Sequence, residues 1–429
     1  MIEILALDVG SSSVRAQRFD ARGEPAGELR QERYETTDAA EVAALVRTVL
    51  GGDEPDGTSC FGHSLVAVDR RGRALTPILG WRDTRSAGAA EWLRGRLDPG
   101  EVHARTGAHL HPSFWPAKLA WLARTEPEIF REASHFASFA DYLGGTPETS
   151  LSMASSSGLL DLATNDWDAE LLTVLGLDAK RLPRIVADRP VWLDAACSNL
   201  GAGCTGRRAA LMVGTSGALR ILHEPERPRP RPGLFLYRLD ERRVVEGGAL
   251  SDGGNLYAWL ERTLAPAQGG LAGRDPSDHG LTFLPFLGGE RSTGWNPEAK
   301  GTIAGLTFAT TPLDLRQAAL EGVAFRFAAI ADLLPEAEEI VATGGGLLHD
   351  PAWIQIMADA LARPVLVSGV EEASLRGAAV AALERGGHQP APAPVGAALG
   401  PREDTADAYR SAREQQQRLY EVLRGNDRA

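Results

Sequence analysis

The chain has 429 residues, 43% of them hydrophobic and 24% charged, with a formal net charge of −12. That length exceeds one ordinary core and predicts two domains, and the acidic balance disfavours nonspecific nucleic-acid binding, which needs clustered Lys and Arg. No apolar run reaches membrane-spanning length, the N-terminal MIEILALDVG lacks the basic region of a secretion signal, and Cys60, Cys197 and Cys204 fit neither a disulfide framework nor a zinc site, so the reading is a reduced, cytoplasmic protein that contacts neither nucleic acid nor membrane.

Residues 2–9 predict a buried strand. A turn of small residues follows, and SVRAQRFD alternates apolar and polar as a paired second strand. ARGEP is a turn, GELRQERYE holds a third short strand, and DAAEVAALVRTVL has helical periodicity. SCFGHSLVAVDRRGRALTPILGW predicts a strand pair joined by a turn at Asp69–Gly72. Residues 112–145 read as mostly helical. The segment RLPRIVADRPVWLDAACSNLGAG leaves the first half, and ALMVGTSGALRIL opens the second. EPERPRPRPG is a Pro-rich surface loop. Helices are predicted over DGGNLYAWLERTL, TPLDLRQAALEGVAFRFAAIADLL, DPAWIQIMADAL and ASLRGAAVAALERG, and DTADAYRSAREQQQRLYEVLRG is an amphipathic terminal helix. Strands and helices intermix in both halves, so the class is α/β.

One motif occurs twice. Val9, Gly10, Ser11 and Ser12 are matched by Val213, Gly214, Thr215 and Ser216, but Asp8 is matched by Met212. A turn rich in Gly, Ser and Thr gathers backbone N–H groups and hydroxyls in one concave place that suits an anion. A single copy reads as an ordinary hairpin; one copy in each half points to a phosphate chain. A carboxylate at a strand end can hold Mg²⁺ through waters, and one metal needs one such acid. A third glycine cluster, VATGGGLLHDPAWIQIMADAL, can lie flat against a base or ribose. Neither a Walker loop nor a dinucleotide fingerprint is present. The repeat predicts a duplicated domain, divided as 1–203 and 204–429, with a cleft between the copies.

With these motifs in order, the chain resembles the FGGY family of carbohydrate kinases. DVGSSSVR is similar to the family's first phosphate motif, VGTSGALR to the second and VATGGGLLHDPAWIQIMADAL to the adenosine motif. PFLGGERSTGWNPEAKGTIAGLTFATTPLDLRQAALEGVAF is similar to its distinctive C-terminal block, and EEASLRGAAVAAL to its last conserved helix. The resemblance implies two related actin-like (ribonuclease H-like) domains, as in hexokinase, and phosphorylation of a small sugar or sugar acid with ATP and Mg²⁺. It implies that Asp194, in WLDAACSNLGAG, is the general base and touches substrate, although a carboxylate there also suits a helix N-cap. It places Asp8 at the metal, and Ser11, Ser12, Ser13, Arg15, Gly214, Thr215, Gly254, Gly345, Gly346 and His349 at the nucleotide. Asp252, the rival acid in GGALSDGGN, goes to the nucleotide side as well.

On the sugar side the resemblance implies Gly62, His63, Trp81 and Trp115. His63 by itself reads equally as a core residue of an apolar strand, and Trp115 as a lid over the sugar or a helix-entry residue. LHPSFWPAKLAWL, SMASSSGLLDLATNDWD and GTSGALR are similar to gluconate kinase-like members, which favours gluconate. A carboxylate substrate asks for a cation, and Arg85, Lys118 and Arg220 are the candidates. A ketopentose (xylulose or ribulose) or polyol kinase, and a non-catalytic sensor on the kinase fold, are the alternatives. Homodimer formation stays open.

Overall fold

The computed structural model describes residues 2–265, 269–348 and 350–426. Two compact units emerge. The first comprises 1–203, 222–246 and 372–393, and the second 204–221, 247–371 and 394–429. The first unit thus takes in two later excursions of the chain, 222–246 and 372–393.

The first unit is built on a five-stranded sheet. Its strands are β1 (Glu3–Val9), β2 (Ser13–Asp20), β3 (Arg30–Arg33), β4 (Gly57–Cys60) and β5 (Val191–Leu193), in spatial order β5-β4-β1-β2-β3. β1 and β2 form an antiparallel hairpin, while β1, β4 and β5 run parallel. Leu5 to Val9 are all buried, as expected of a strand covered on both faces. The helix Ala39–Leu50 packs against β2 and β3 with Ala39, Val42, Ala43, Val46 and Val49 inward. Asp38 caps its N-terminus through Ala40 and Glu41 N–H, and Gly51 ends it in the left-handed region.

The helix Ala373–Arg385 packs against β1, β4 and the helix Asp194–Gly201. These elements meet backbone to backbone. A Cβ on Gly377 would stand 1.9 Å from Cys197 O, one on Gly201 1.8 Å from Ala373 O, and one on Gly57 2.5 Å from Ala378 O. Only glycine permits that approach. Arg376, buried in the same helix, donates to Gly23 O, Gly201 O and Ala391 O at 2.7–3.0 Å. A further apolar core in this unit gathers Leu93, Trp115, Leu119, Leu122 and Phe136.

The Asp69–Gly72 turn forms, with Asp69 N–H donating to Arg73 O and Gly72 N–H to Asp69 O. Its expected return strand does not. Beyond the turn there are only isolated bridges, and Val66–Val68 pairs instead with His135–Ala137. Thr76 Oγ1 accepts the Ala67 N–H, and Pro77 has no N–H to give, so the return leg cannot continue a ladder. The 112–145 region is helical over Trp115–Thr125, Pro127–Glu132 and Phe139–Gly144, and His135–Ala137 interrupts it.

The second unit repeats the plan. Six of the seven strands of its sheet are β6 (Arg208–Val213), β7 (Gly217–His223), β8 (Val244–Leu250), β9 (Glu339–Thr343), β10 (Val365–Ser368) and β11 (Val395–Leu399), in order β8-β7-β6-β9-β10-β11, and Phe235–Arg238 is the edge strand beyond β8. β6 and β7 form an antiparallel hairpin, and β6, β9 and β10 run parallel. This is the arrangement of β1, β2, β4 and β5, so the duplication read from two loops extends through the sheets. The predicted helices appear as Gly254–Thr263, Pro312–Asp332, Pro351–Leu361 and Ala406–Asn426. Thr311 and Asp314 form a capping box on the second of these. No helix of the described residues is long and apolar enough to cross a membrane. All three cysteines are free and buried.

Candidate active site

The first unit's site follows from its parallel strands. Val9, Cys60 and Leu193 are register partners at the carboxyl ends of β1, β4 and β5. Asp8 and the Gly10 loop, the Phe61–His63 turn and Asp194 therefore emerge along one sheet edge. The carboxyl edge of parallel strands is where α/β sheets gather their ligands.

In the first hairpin, Gly10 N–H donates to Ser13 O at 2.9 Å, and Ser11 and Ser12 are exposed while Ser13 is buried. Tyr34 braces the loop: its hydroxyl donates to Gly10 O (2.5 Å) and its N–H to Ser12 O (3.0 Å). The β1–β2 register sets Asp8 opposite Arg15, whose Nη2 lies 3.2 Å from Asp8 Oδ2. Arg15 Nη1 donates to Glu372. Asp8 is 1% exposed, and burial pushes its carboxyl up, against the pull of Arg15 and the Ser59 hydroxyl. Beyond those two groups its oxygens accept no hydrogen bond from the described residues. A buried carboxylate with open lone pairs fits a divalent cation that keeps most of its waters. Among the described residues no cluster of three His, Cys, Asp or Glu offers an all-protein metal cage.

Asp194 is the first residue of its helix rather than the N-cap. Leu193 holds the cap position, and Asp194 Oδ1 accepts the N–H of Ala195 at 2.7 Å. The expected capping role is thereby corrected: β5 runs straight into the helix and leaves no extended residue for Asp194 to occupy. Its charge acts on Arg15 together with those of Asp8 and Glu372.

His63 is not inside a strand. It sits in the turn after β4 with φ +63°. Its Nδ1 lies 2.5 Å from Ser156 O, and a carbonyl only accepts, so Nδ1–H donates and Nε2 is the acceptor of the neutral ring. Phe114 and Tyr237 flank the ring edge to face at 4.8 and 5.4 Å. A Cβ on Gly62 would come within 2.4 Å of Leu193 Cδ1, so close packing favours glycine there.

Trp115 is a core residue, 2% exposed, with Nε1–H donating to Ser64 O at 2.7 Å and its ring stacked on Trp167. That burial rules out the lid and leaves the helix-entry reading. Trp81 lies in a loop with Arg82 stacked over its ring, and its carbonyl accepts the Ser113 hydroxyl.

The expected sugar-acid cations are engaged elsewhere. Lys118 is buried and its ammonium donates to His63 O, Leu79 O and Ser113 O, so it fastens the His63 turn. Arg85 grips Asp83 and lies over Trp121. Arg220 is buried in β7 of the second unit, opposite Ala210.

The second unit gathers the remaining glycines. Gly254 N–H donates to Gly214 O (2.8 Å) and Asn255 N–H to Thr215 O (3.0 Å), so the helix Gly254–Thr263 seats its N-terminus on the second hairpin. A Cβ on Gly254 would stand 2.5 Å from Gly214 O, and one on Gly346 2.9 Å from Val213 O. Gly214, Gly254 and Gly346 thus form one flat backbone floor, with Gly345 and Thr215 exposed beside it. His349 lies outside the described residues. Asp252 is buried, and burial lifts its carboxyl to about 7 against the backbone N–H groups of Gly288 and Leu287.

Residues 57–197 match the N-terminal domain of the FGGY family of carbohydrate kinases, and residues 209–384 match its C-terminal domain. The chain belongs to the FGGY family of carbohydrate kinases. It is 28% identical to a gluconokinase of Bacillus subtilis (strain 168) over 403 residues, covering 81% of this chain and 79% of the relative. Two solved structures share its fold: a xylulose kinase from Lactobacillus acidophilus (TM-score 0.88) and a gluconate kinase from the same organism (TM-score 0.86). Each is 24% identical and covers 98% of both chains. The protein is therefore a phosphotransferase with an alcohol group as acceptor, and it acts on a sugar or sugar acid with ATP, generally with a divalent metal in this family. For such a kinase, sequence reasoning missed Tyr34 and Tyr237, which reach the loops from distant segments. It also missed Glu372, whose one local signal is an unusual residue directly before a helix.

Proposed function

We propose that this carbohydrate kinase phosphorylates a hydroxyl of gluconate. Asp194 is the general base, Asp8 holds Mg²⁺, the first unit carries the sugar acid, and the second unit carries the nucleotide. The observation that carries the assignment of the base is the shared carboxyl edge of β1, β4 and β5, which delivers Asp8, the His63 turn and Asp194 together. The gluconokinase of Bacillus subtilis, similar over 81% of the chain, supports the acceptor.

Phosphoryl transfer needs the acceptor held in line and charge balanced at the moving group. Asp194 takes the proton of the substrate hydroxyl as its oxygen bonds to the γ-phosphorus of ATP, while the bond to the β,γ-bridging oxygen breaks and ADP leaves. His63 Nε2, with the ring fixed through Nδ1, accepts from a second sugar hydroxyl. The N–H groups and hydroxyls of Ser11, Ser12 and Ser13, with Gly214 and Thr215, hold phosphate oxygens, and the Arg15 guanidinium offsets their charge. Mg²⁺, when bound at Asp8, neutralises phosphate charge. The glycines of the floor, Gly254, Gly345 and Gly346, leave room for the nucleoside.

A neutral acceptor such as xylulose is the second reading. It draws on the engagement of Lys118 by three carbonyls and of Arg85 by Asp83, which removes two of the cations expected for a carboxylate. A coupled ADP-release assay over gluconate, xylulose, ribulose and glycerol decides. Gluconate is expected to give the highest kcat/KM, and a higher value for a ketopentose or for glycerol overturns the gluconate assignment.

A further inference from the structure

Glu372 immediately precedes the helix Ala373–Arg385 and holds its N-cap position, yet it makes no side-chain capping bond. Other helices of this chain begin on Asp38, Asp98, Ser138, Asp168 and Thr311, short side chains that do reach back to first-turn N–H groups. The Glu372 carboxylate is turned instead toward Arg15. Its Oε2 accepts from Arg15 Nη1, while Arg15 Nη2 stands 3.2 Å from Asp8 Oδ2. One guanidinium is shared between the acid beside it in the hairpin and an acid 357 residues away in sequence.

The sharing has a geometric consequence. A guanidinium is a rigid planar fork and prefers to grip a carboxylate with two parallel N–H groups. With Nη1 committed to Glu372, only Nη2 points to Asp8, so that pair stays single. Arg15 Nε, buried, has no acceptor among the described residues. Glu372 cannot drift, because its helix is locked by the backbone contacts of Gly377 on Cys197 and Gly201 on Ala373, and Arg376 ties the next turn to three carbonyls.

We propose that Glu372 is a positioning residue for phosphoryl transfer: by holding one arm of Arg15 it keeps the guanidinium from clamping Asp8, so that Asp8 remains open to the metal–nucleotide and Arg15 keeps a donor for phosphate. This rests on the reading of Arg15 and Asp8 given under the proposed function.

The test uses whichever acceptor the wild-type enzyme turns over best and four variants. Glu372→Gln is expected to lower kcat and raise the metal concentration for half-maximal rate by about 10–100-fold, the usual effect of losing a group that orients another at a metal site, with the sugar KM and Tm unchanged. Glu372→Asp is the variant that a structural role cannot explain. Aspartate is the better cap and keeps the helix, but it is one methylene too short for Arg15, so the same kinetic loss is expected in a protein at least as stable. Glu384→Gln breaks the ion pair with Arg243 at the far end of the same helix (2.7 Å) and is expected to leave kinetics unchanged. If Arg15→Ala loses turnover while both Glu372 variants keep wild-type kcat and metal dependence, the positioning role is wrong and the phosphate reading stands. If Arg15→Ala itself turns over at the wild-type rate, the phosphate reading of Arg15 falls, and this inference with it.

Discussion

In the first hairpin the residues facing each other one step below the loop are Asp8 and Arg15; in the second they are Met212 and Ala218. The loops differ as well. The first spans Gly10–Ser13 between the paired Val9 and Val14, and the second only Gly214–Ser216 between Val213 and Gly217. The turns match residue for residue up to Ser12 and Ser216, then lose step, so Arg15 has Ala218 as its counterpart. The first hairpin invests in charge: an acid, a cation, and Glu372 from a distant helix. The second invests in closeness, with Gly254 and Gly346 packed on its carbonyls and Gly217 admitting Phe327 where a Cβ would stand 2.4 Å from the ring. The two copies of one turn thus differ in kind, one lined by charge and the other by closely packed backbone.

The largest expected effect tests the charged side. Asp194→Asn is expected to lower kcat by about 10²–10⁴-fold, the usual contribution of a general base, with nucleotide affinity by calorimetry unchanged; turnover at the wild-type rate would remove Asp194 from the mechanism. Asp8→Asn comes next. It keeps the shape of the first hairpin and removes its acid, so the metal concentration for half-maximal rate is expected to rise about 10–100-fold. Met212→Asp, the reciprocal change, is expected to bring no gain in metal affinity, because one metal needs one such acid and Asp8 already supplies it.

Smaller effects probe the packed side. Gly254→Ala drives a methyl to 2.5 Å from Gly214 O, and the cost is expected to be about 1–3 kcal/mol, as for an overpacked core, read as a lower Tm and a higher KM for ATP. Gly10→Ala meets the far end of Arg15 at 3.2 Å and Ser13 O at an ordinary 3.4 Å, so its stability change is expected to be smaller and its effect to fall on kcat.

The smallest effect concerns Asp252, beside the second hairpin. Its folded carboxyl titrates at about 7, against 3.8 for the ordinary group. The folded state therefore holds this proton more tightly than the unfolded chain does. The resulting stability is complete below 3.8 and is lost as pH rises through about 7. Asp252→Asn is expected to flatten the fall in Tm across that window, and an unchanged pH profile would count against the buried neutral acid.

What could be read from the sequence was local. The loops of Gly10 and Gly214, the strand-end Asp8 and the helices of the second half each declare themselves within a few residues. The register slip after Ser216 was hidden, because matching small residues in a turn says nothing about which strand residues then face each other. Lys118 and Arg85 looked like ligands since a carboxylate substrate asks for a cation; three carbonyls and Asp83 hold them instead. Trp115 was ambiguous because helix entry and lid share one sequence. Tyr34, Tyr237 and Glu372 act across long separations, and only the fold brings them to the loops they brace.

The helix Ala373–Arg385 lies late in the chain but closes the first unit. During synthesis, the ribosome has made the whole second sheet as far as β10 before the partner of Cys197 and Gly201 exists. Until then Gly57, Cys197 and Gly201 lack their cover, and the locked glycine seam can form only once the chain has passed residue 385. A fragment ending at residue 203 would lack that cover altogether. Cutting this protein between its halves is therefore expected to yield an aggregating piece rather than a sugar-binding domain.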